Sequence, residues 1–225
     1  MILEVKDIKK KYGKKEVLNG VSFEMDSPCI LSLFGSNGTG KTTLVSIIAG
    51  LLKQNEGSVT LYGIDSVKNR KAFQKMIGLV SQEIALYEEL SGKDNISLFA
   101  KLYHLDKKQE TLRVNELKEL LNLTDEDLKT KVGKMSGGMR RKINLATSLL
   151  NNPKLLLLDE PTANLDYDSE KQIMDAVKKL SQSICVILIT HSLDTVKKYC
   201  DRICVLSNGV VAKDTTAEEF LAGTL

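Results

Sequence analysis

The sequence predicts an α/β fold with a strand-rich N-terminal edge and an inserted helical segment. Three observations carry that prediction. The apolar run Cys29-Ile30-Leu31-Ser32-Leu33-Phe34 reads as a buried strand, and it leads through a glycine-dense stretch into a helical stripe of Leu44, Ile47, Ile48 and Leu51. Two further apolar runs, residues 155–158 and 185–189, are short enough for buried parallel strands and flank a helical period over 167–180. Between these halves, from about residue 93 to 152, the period is helical almost throughout, with Ile96, Phe99, Ala100 and Tyr103 in one segment and Leu112, Leu117, Leu120 and Leu121 in another. Alternation of strand and helix around such an insertion is α/β architecture.

In chain order, residues 2–8, 17–25 and 58–62 are strand-like runs separated by turns. They predict a β edge attached to the core. Near the C-terminus, Asn208-Gly209 between residues 203–206 and 210–212 is a two-residue hairpin signal. Thr216 followed by Glu219 reads as a capping box that opens a short helix. No internal repeat, low-complexity stretch or linker interrupts residues 1–225, so one domain is expected.

Composition narrows the class. Lys and Arg number 32 against 29 Asp and Glu, a net charge of +3 that gives no broad footprint for nucleic acid. The clusters Lys9-Lys10-Lys11 and Lys14-Lys15 read as a solvated edge. Cys29, Cys185, Cys200 and Cys204 lack Cys-x-x-Cys spacing, and only His104 and His191 supply imidazole, so a zinc site is not indicated. No secretory apolar region opens the chain and no apolar stretch nears the roughly 20 residues that cross a bilayer. A cytosolic chain with reduced thiols is expected.

The chemistry concentrates in three places. Gly35-Ser36-Asn37-Gly38-Thr39-Gly40-Lys41-Thr42 follows a strand and opens a helix, which is the context a polyphosphate-binding loop requires. Its backbone N–H groups and helix start would wrap phosphate, Lys41 would reach the β- and γ-phosphates, and the Thr42 hydroxyl would ligate Mg²⁺. Asp159-Glu160 closes a buried strand, at the carboxyl end where open sheets bind ligands. Asp159 would hold Mg²⁺, directly or through its water, and Glu160 would take a proton from the attacking water. Ser136-Gly137-Gly138 precedes a helix with Met139, Ile143, Ala146 and Leu150 on its apolar face, a second helix start suited to an anion. Taken singly, Asp159-Glu160 also reads as a strand end before Pro161, and Ser136 as an N-cap before a turn.

With these motifs in order, the chain resembles the ATP-binding cassette (ABC) ATPases, over essentially its whole length. The resemblance rests on Tyr12, the loop at 35–42, Gln82, Ser136-Gly137-Gly138, Asp159-Glu160, Asn164-Leu165-Asp166 and His191. It implies a P-loop nucleoside-triphosphatase core at about residues 1–90 and 153–225, an N-terminal antiparallel β edge, and a helical subdomain at about residues 91–152. The nucleotide-binding set it implies is Tyr12, stacking on adenine, with Gly35, Ser36, Asn37, Gly38, Thr39, Gly40, Lys41, Thr42 and Thr43, joined by Ser136, Gly137, Gly138 and Asp166. The catalytic set is Glu160, His191 and Gln82, and the Mg²⁺ set is Thr42, Gln82 and Asp159. It further implies a head-to-tail dimer in which each ATP lies between the Lys41 loop of one subunit and the Ser136 signature of the other.

Departures from the family pattern are Met135 and Met139 in the signature and Ala163-Asn164 before Leu165-Asp166. Met139-Arg140-Arg141 and residues 86–95 resemble the drug, antibiotic and lipid exporter branch. The implied function is the ATP-hydrolysing subunit of an ABC transporter, peripheral on the cytoplasmic face of the cell membrane and working through a separate membrane subunit, with export as its direction. Residues Leu86, Tyr87, Leu90, Phe99 and Tyr103 lie where the family docks a short helix of that subunit. A soluble non-transport ABC ATPase is the alternative, although such proteins usually carry two cassettes or a coiled-coil insertion. A regulatory module without turnover is disfavoured by the presence of both Glu160 and His191.

Overall fold

Alternating burial begins at the N-terminus, where β1 (Leu3–Tyr12) and β2 (Lys15–Met25) pair antiparallel, Leu3 opposite Met25 and Tyr12 opposite Lys15. The computed structural model describes residues 1–223. From this hairpin the chain enters β3 (Ile30–Phe34), passes the glycine loop into α1 (Lys41–Ile48), and returns as β4 (Glu56–Leu61) and β5 (Ile64–Asp65). The four edge strands form an antiparallel sheet in the order β2-β1-β4-β5. After α2 (Arg70–Gln74) and β6 (Ile77–Val80) come α3 (Gly92–Leu102), α4 (Lys107–Leu121), α5 (Asp125–Lys129) and α6 (Gly137–Leu149). Then β7 (Leu155–Asp159), α7 (Tyr167–Leu180), β8 (Cys185–Ile189), α8 (Leu193–Tyr199), β9 (Arg202–Ser207), β10 (Val210–Thr216) and α9 (Ala217–Ala222) complete the described chain.

The second sheet has the order β10-β9-β3-β8-β7-β6, with all pairs parallel except the β9/β10 hairpin. Its central strands are buried on both faces, so they read as unbroken apolar runs. Alternate residues serve different cores. Leu156, Leu158, Val186 and Leu188 join Ile143, Leu145, Ala146 and Leu149 of α6 in one cluster. Leu155, Leu157, Ile187 and Ile189 join Leu44, Ile47 and Ile48 of α1 and the edge strands in the other. At about 1.5–3 kcal/mol per buried aliphatic side chain, these contacts weld α1 and α6 to the sheet that separates them.

Some sequence expectations need correction. The helix after the glycine loop ends at Ile48, and Leu51, expected on its apolar face, lies past the turn and is 58% exposed. Leu112 was expected with Leu117 and Leu121, yet it points outward at 57% exposure while those two are buried. The helical period placed one leucine too many on the inner face. β6 has no counterpart in the sequence reading, because four residues containing Gly78 give little pattern. All four cysteines are free; Cys185, Cys200 and Cys204 are buried, which pushes their thiols up to about 12, whereas Cys29 is only partly covered. No described helix is long and apolar enough to cross a membrane.

Candidate active site

Parallel strands point all their carboxyl ends one way, and the predicted chemistry sits there. The loop at 35–40 leaves β3, Ser81 and Gln82 follow β6, Asp159 ends β7 and Glu160 succeeds it, and His191 lies just past β8. These segments surround a cleft of about 670 Å³ lined by Asn37, Gly38, Gly40, Lys41, Thr42, Thr43, Gln82, Asp159, Glu160 and His191, with Tyr12, Lys15 and Val17 from the edge hairpin. That volume fits a small-molecule ligand.

The glycine loop is held by close packing as well as by its own turn. Gly40, the N-cap of α1, has φ +97°, and a Cβ there would lie 2.8 Å from Leu18 Cδ2, so neither its conformation nor its surroundings admit a side chain. No side chain caps this helix start, which leaves first-turn N–H groups for an anion. Lys41 is buried, and its Nζ donates to the carbonyls of Gly35 at 2.8 Å and Ser36 at 2.9 Å. Thr39 Oγ1 donates to the same Ser36 carbonyl. Burial lowers the Lys41 pKa from its ordinary value, opposed by the Glu160 and Asp159 carboxylates.

Glu160 is the hub of the opposite wall. Gln82 Nε2 donates to Glu160 Oε2 at 3.3 Å, and His191 Nε2 lies 2.9 Å from Glu160 Oε1. Its backbone has φ +48°, an uncommon conformation for this residue type, held by its N–H donating to Ile189 O at 3.1 Å. The turn so formed points the carboxylate at loops from two other strands. Asp159 beside it is 6% exposed; burial raises its pKa and the Glu160 charge adds to this, while the Thr42 hydroxyl, Lys41 and His191 pull it down. Thr42, Asp159 and Gln82 offer a hydroxyl, a carboxylate and an amide oxygen, a hard all-oxygen set that suits Mg²⁺ shared with a phosphate. Among the described residues no cluster of three or more His, Cys, Asp or Glu could hold a metal by itself.

Comparison with known proteins places the chain in a family. Residues 18–163 match the family model described as ABC transporter. The chain belongs to the ABC transporter family. The daunorubicin resistance ATP-binding protein DrrA3 of Streptomyces coeruleorubidus is 38% identical over 223 residues, covering 99% of this chain and 70% of that protein. The linearmycin resistance ATP-binding protein LnrL of Bacillus subtilis (strain 168) is 37% identical over 209 residues, 92% of this chain and 67% of that one. The chain thus spans about two-thirds of the length of these relatives. Among solved structures, the dimeric ATP-binding cassette MJ0796 in a post-hydrolysis state bound to ADP and Pi superposes with a TM-score of 0.84 at 26% identity, covering 96% of this chain and 99% of that one. This protein is an ABC ATPase, with the mixed sheets and inserted helices of the ABC fold.

Not every predicted residue of this ABC ATPase reaches the cleft. Ser136, Gly137, Gly138 and Asp166 do not line it, and neither do Gly35, Ser36 and Thr39, of which Gly35 and Ser36 instead hold Lys41 through their carbonyls. Ser136 caps α6, its hydroxyl accepting from Met139 N–H at 3.2 Å, and Asp166 caps α7, accepting from Ser169 N–H at 2.9 Å and Ser169 Oγ at 2.8 Å. Tyr12 does reach the cleft edge, 52% exposed, with Lys10 Nζ 5.3 Å from its ring centroid. Arg141, quoted above only for its resemblance, also bears on the site. It is buried, its Nη1 donates to Ser81 O at 3.3 Å, and the Glu160 charge acts on its guanidinium. The signal available in the sequence was a cation on the same helical face as Leu145 and Ser148, both buried.

Proposed function

We propose that this ABC ATPase is the engine of a transporter: it hydrolyses ATP in the Lys41 cleft and drives export through a separate membrane subunit, as a peripheral protein on the cytoplasmic face. The single domain spans residues 1–225, its core at about 1–90 and 153–225 and its helical subdomain at about 91–152. The observation that carries the hydrolytic half is the Glu160 carboxylate held between Gln82 and His191 across from Lys41.

In this reading the loop at 35–43 and the start of α1 bind the triphosphate, and Tyr12 stacks on the adenine. Lys41 offsets charge on the β- and γ-phosphates. Glu160 accepts the proton of the attacking water, while Gln82 and His191 hold that carboxylate and the water in line. Thr42, Asp159 and Gln82 would hold Mg²⁺, which supplies charge neutralisation at the phosphates when bound. A second copy of the chain contributes Ser136, Gly137, Gly138 and Asp166, which lie outside the subunit's own cleft.

Export is supported by the resistance functions in the names of DrrA3 and LnrL. Membrane docking is assigned to the segment before α3. Tyr87 is 59% exposed, while its backbone N–H and carbonyl are both bonded to the Asn95 side chain, which is fully buried. A rigid backbone under an exposed aromatic suits a partner helix with apolar anchors. The test is Tyr87→Ala: ATPase of the isolated subunit within about twofold of wild type, with co-purification of the membrane subunit and transport both lost. Wild-type transport by that variant would remove Tyr87 from the docking surface.

A further inference from the structure

The second signature glycine is explained inside this one chain. Gly138 is buried at the start of α6, and a Cβ on it would lie 2.4 Å from Ser169 Oγ and 2.8 Å from Ser169 Cβ, closer than unbonded atoms allow. A Cβ on Gly137 would meet only Leu165 Cδ2, at 3.4 Å, an ordinary van der Waals contact that a side chain could make. Gly138 has no positive φ, so backbone freedom is not what demands it. Proximity of the segment entering α7 is.

Ser169 also faces the other way. Its N–H and Oγ both donate to the Asp166 carboxylate, at 2.9 and 2.8 Å. One side chain therefore touches both helix starts that the nucleotide cleft leaves out. A turn further along, Lys142 Nζ donates to Gln172 Oε1 at 2.6 Å and extends the contact between α6 and α7.

We propose that Ser169 is a positioning residue that holds the Ser136-Gly137-Gly138 start of α6 and the Asp166 start of α7 in fixed register, so that both face the second subunit as one rigid surface. The proposal rests on the dimer reading given above. Ser169 touches no nucleotide; it acts through Gly138 and Asp166. Displacing one helix start against the other misplaces groups that must meet the partner's phosphate together, and misplacement by about 1 Å can cost about 10²-fold in rate.

The experiment is a rescue series on the whole chain, read by steady-state ATPase and by nucleotide affinity. Gly138→Ala should lower kcat at least about tenfold with the isolated subunit's ATP affinity within about twofold, because neither residue lines that subunit's own cleft. Adding Ser169→Gly should return kcat to within about threefold of Ser169→Gly alone, and adding Ser169→Ala should rescue less, since its Cβ remains. A double variant no faster than Gly138→Ala would overturn the proposal. If Gly138→Ala does not fold, recovery of its thermal transition in the double variant reads the same contact. In that case Ser169→Ala alone carries the functional test: kcat lower by about two- to fivefold at unchanged affinity is expected, and wild-type kcat overturns the idea. Sedimentation of Glu160→Gln with ATP separates the two readings, since a monomer there removes the dimer while the rescue still measures the Gly138–Ser169 contact.

Discussion

Two helices of this ABC ATPase, α1 and α6, start on glycines beside a hydroxyl, and only α1 starts inside the nucleotide cleft. At α1 the N-cap is Gly40 with no side-chain cap, a buried lysine follows, and three parallel strands, β6, β7 and β8, deliver Gln82, Asp159, Glu160 and His191 around it. At α6 the hydroxyl of Ser136 already accepts from Met139 N–H, Gly138 is packed against the entry to α7, and no lysine follows within the first turn. The same local pattern thus serves two ends. One opens into the cleft, and the other presents a shaped surface that in the proposed dimer meets a partner's phosphate.

Breaking the cleft should give the largest effects. Glu160→Gln keeps the shape of the side chain and its neighbours but cannot take a proton, so phosphate release should fall by about 10²–10⁴ while ATP binding persists. The variant should accumulate as an ATP-bound dimer on gel filtration. Turnover at the wild-type rate would exclude Glu160 as the base.

The two helix starts separate most clearly by binding. Lys41→Ala removes a cation that offsets phosphate charge in both ground and transition states, so ATP affinity of the isolated subunit should weaken by tenfold or more, of the order of a charge-assisted bond. Ser136→Arg, on the outward-facing start, should leave that affinity within about twofold and still stop hydrolysis and ATP-driven dimerisation, because the long side chain fills the partner's phosphate pocket. Calorimetry decides it. Loss of ATP binding in folded Ser136→Arg would place Ser136 in its own subunit's site and dissolve the distinction.

The sequence made these regions legible to different degrees for a physical reason. Residues 35–42 carry their chemistry in one contiguous turn between a strand and a helix, so pattern alone located them. The Gln82–Glu160–His191 cluster comes from loops after β6, β7 and β8, so their mutual distances required the sheet order. Family resemblance supplied their names, and geometry supplied the contact between them. Ser169 was invisible because its role is set by a helix start 31 positions earlier, at Gly138. Periodicity erred at Leu51 and Leu112, where a helix end and an outward-facing leucine look in sequence like the buried stripe.

Helix α6 does touch the wall of its own subunit's cleft, but through Arg141 rather than through its start. The guanidinium holds the Ser81 carbonyl, and the next residue, Gln82, holds Glu160. Arg141→Met keeps much of the packing and removes the donor, so kcat should drop by about three- to tenfold with KM for ATP nearly unchanged. Arg141→Lys should recover part of that loss. A KM effect without a kcat effect would detach Arg141 from the Gln82 loop.

The smallest expected effect compares one carboxylate from each region, and its sign differs between them. Burial raises the Asp159 pKa above its ordinary value, so the folded state holds that proton more tightly than the unfolded chain does. Stability from this group is fully present below the unfolded value and is lost as pH rises through the raised folded value. Asp159→Asn, measured in EDTA without nucleotide, should therefore raise Tm by about 2–4 °C at pH 8, and the gain should shrink as the pH falls toward 4. Hydrogen bonds from Ser169 hold the Asp166 pKa below its ordinary value, so its stabilisation is present above the unfolded value and lost as pH falls. Asp166→Asn should lower Tm at pH 8, and only slightly, because the side chain is exposed and asparagine also caps helices well. This gap too should close on acidification, but from the other side. Two Tm-against-pH curves crossing the wild type, or shifts of one sign for both variants, would show that the buried carboxylate of the cleft and the exposed carboxylate at the start of α7 do not differ as their surroundings require.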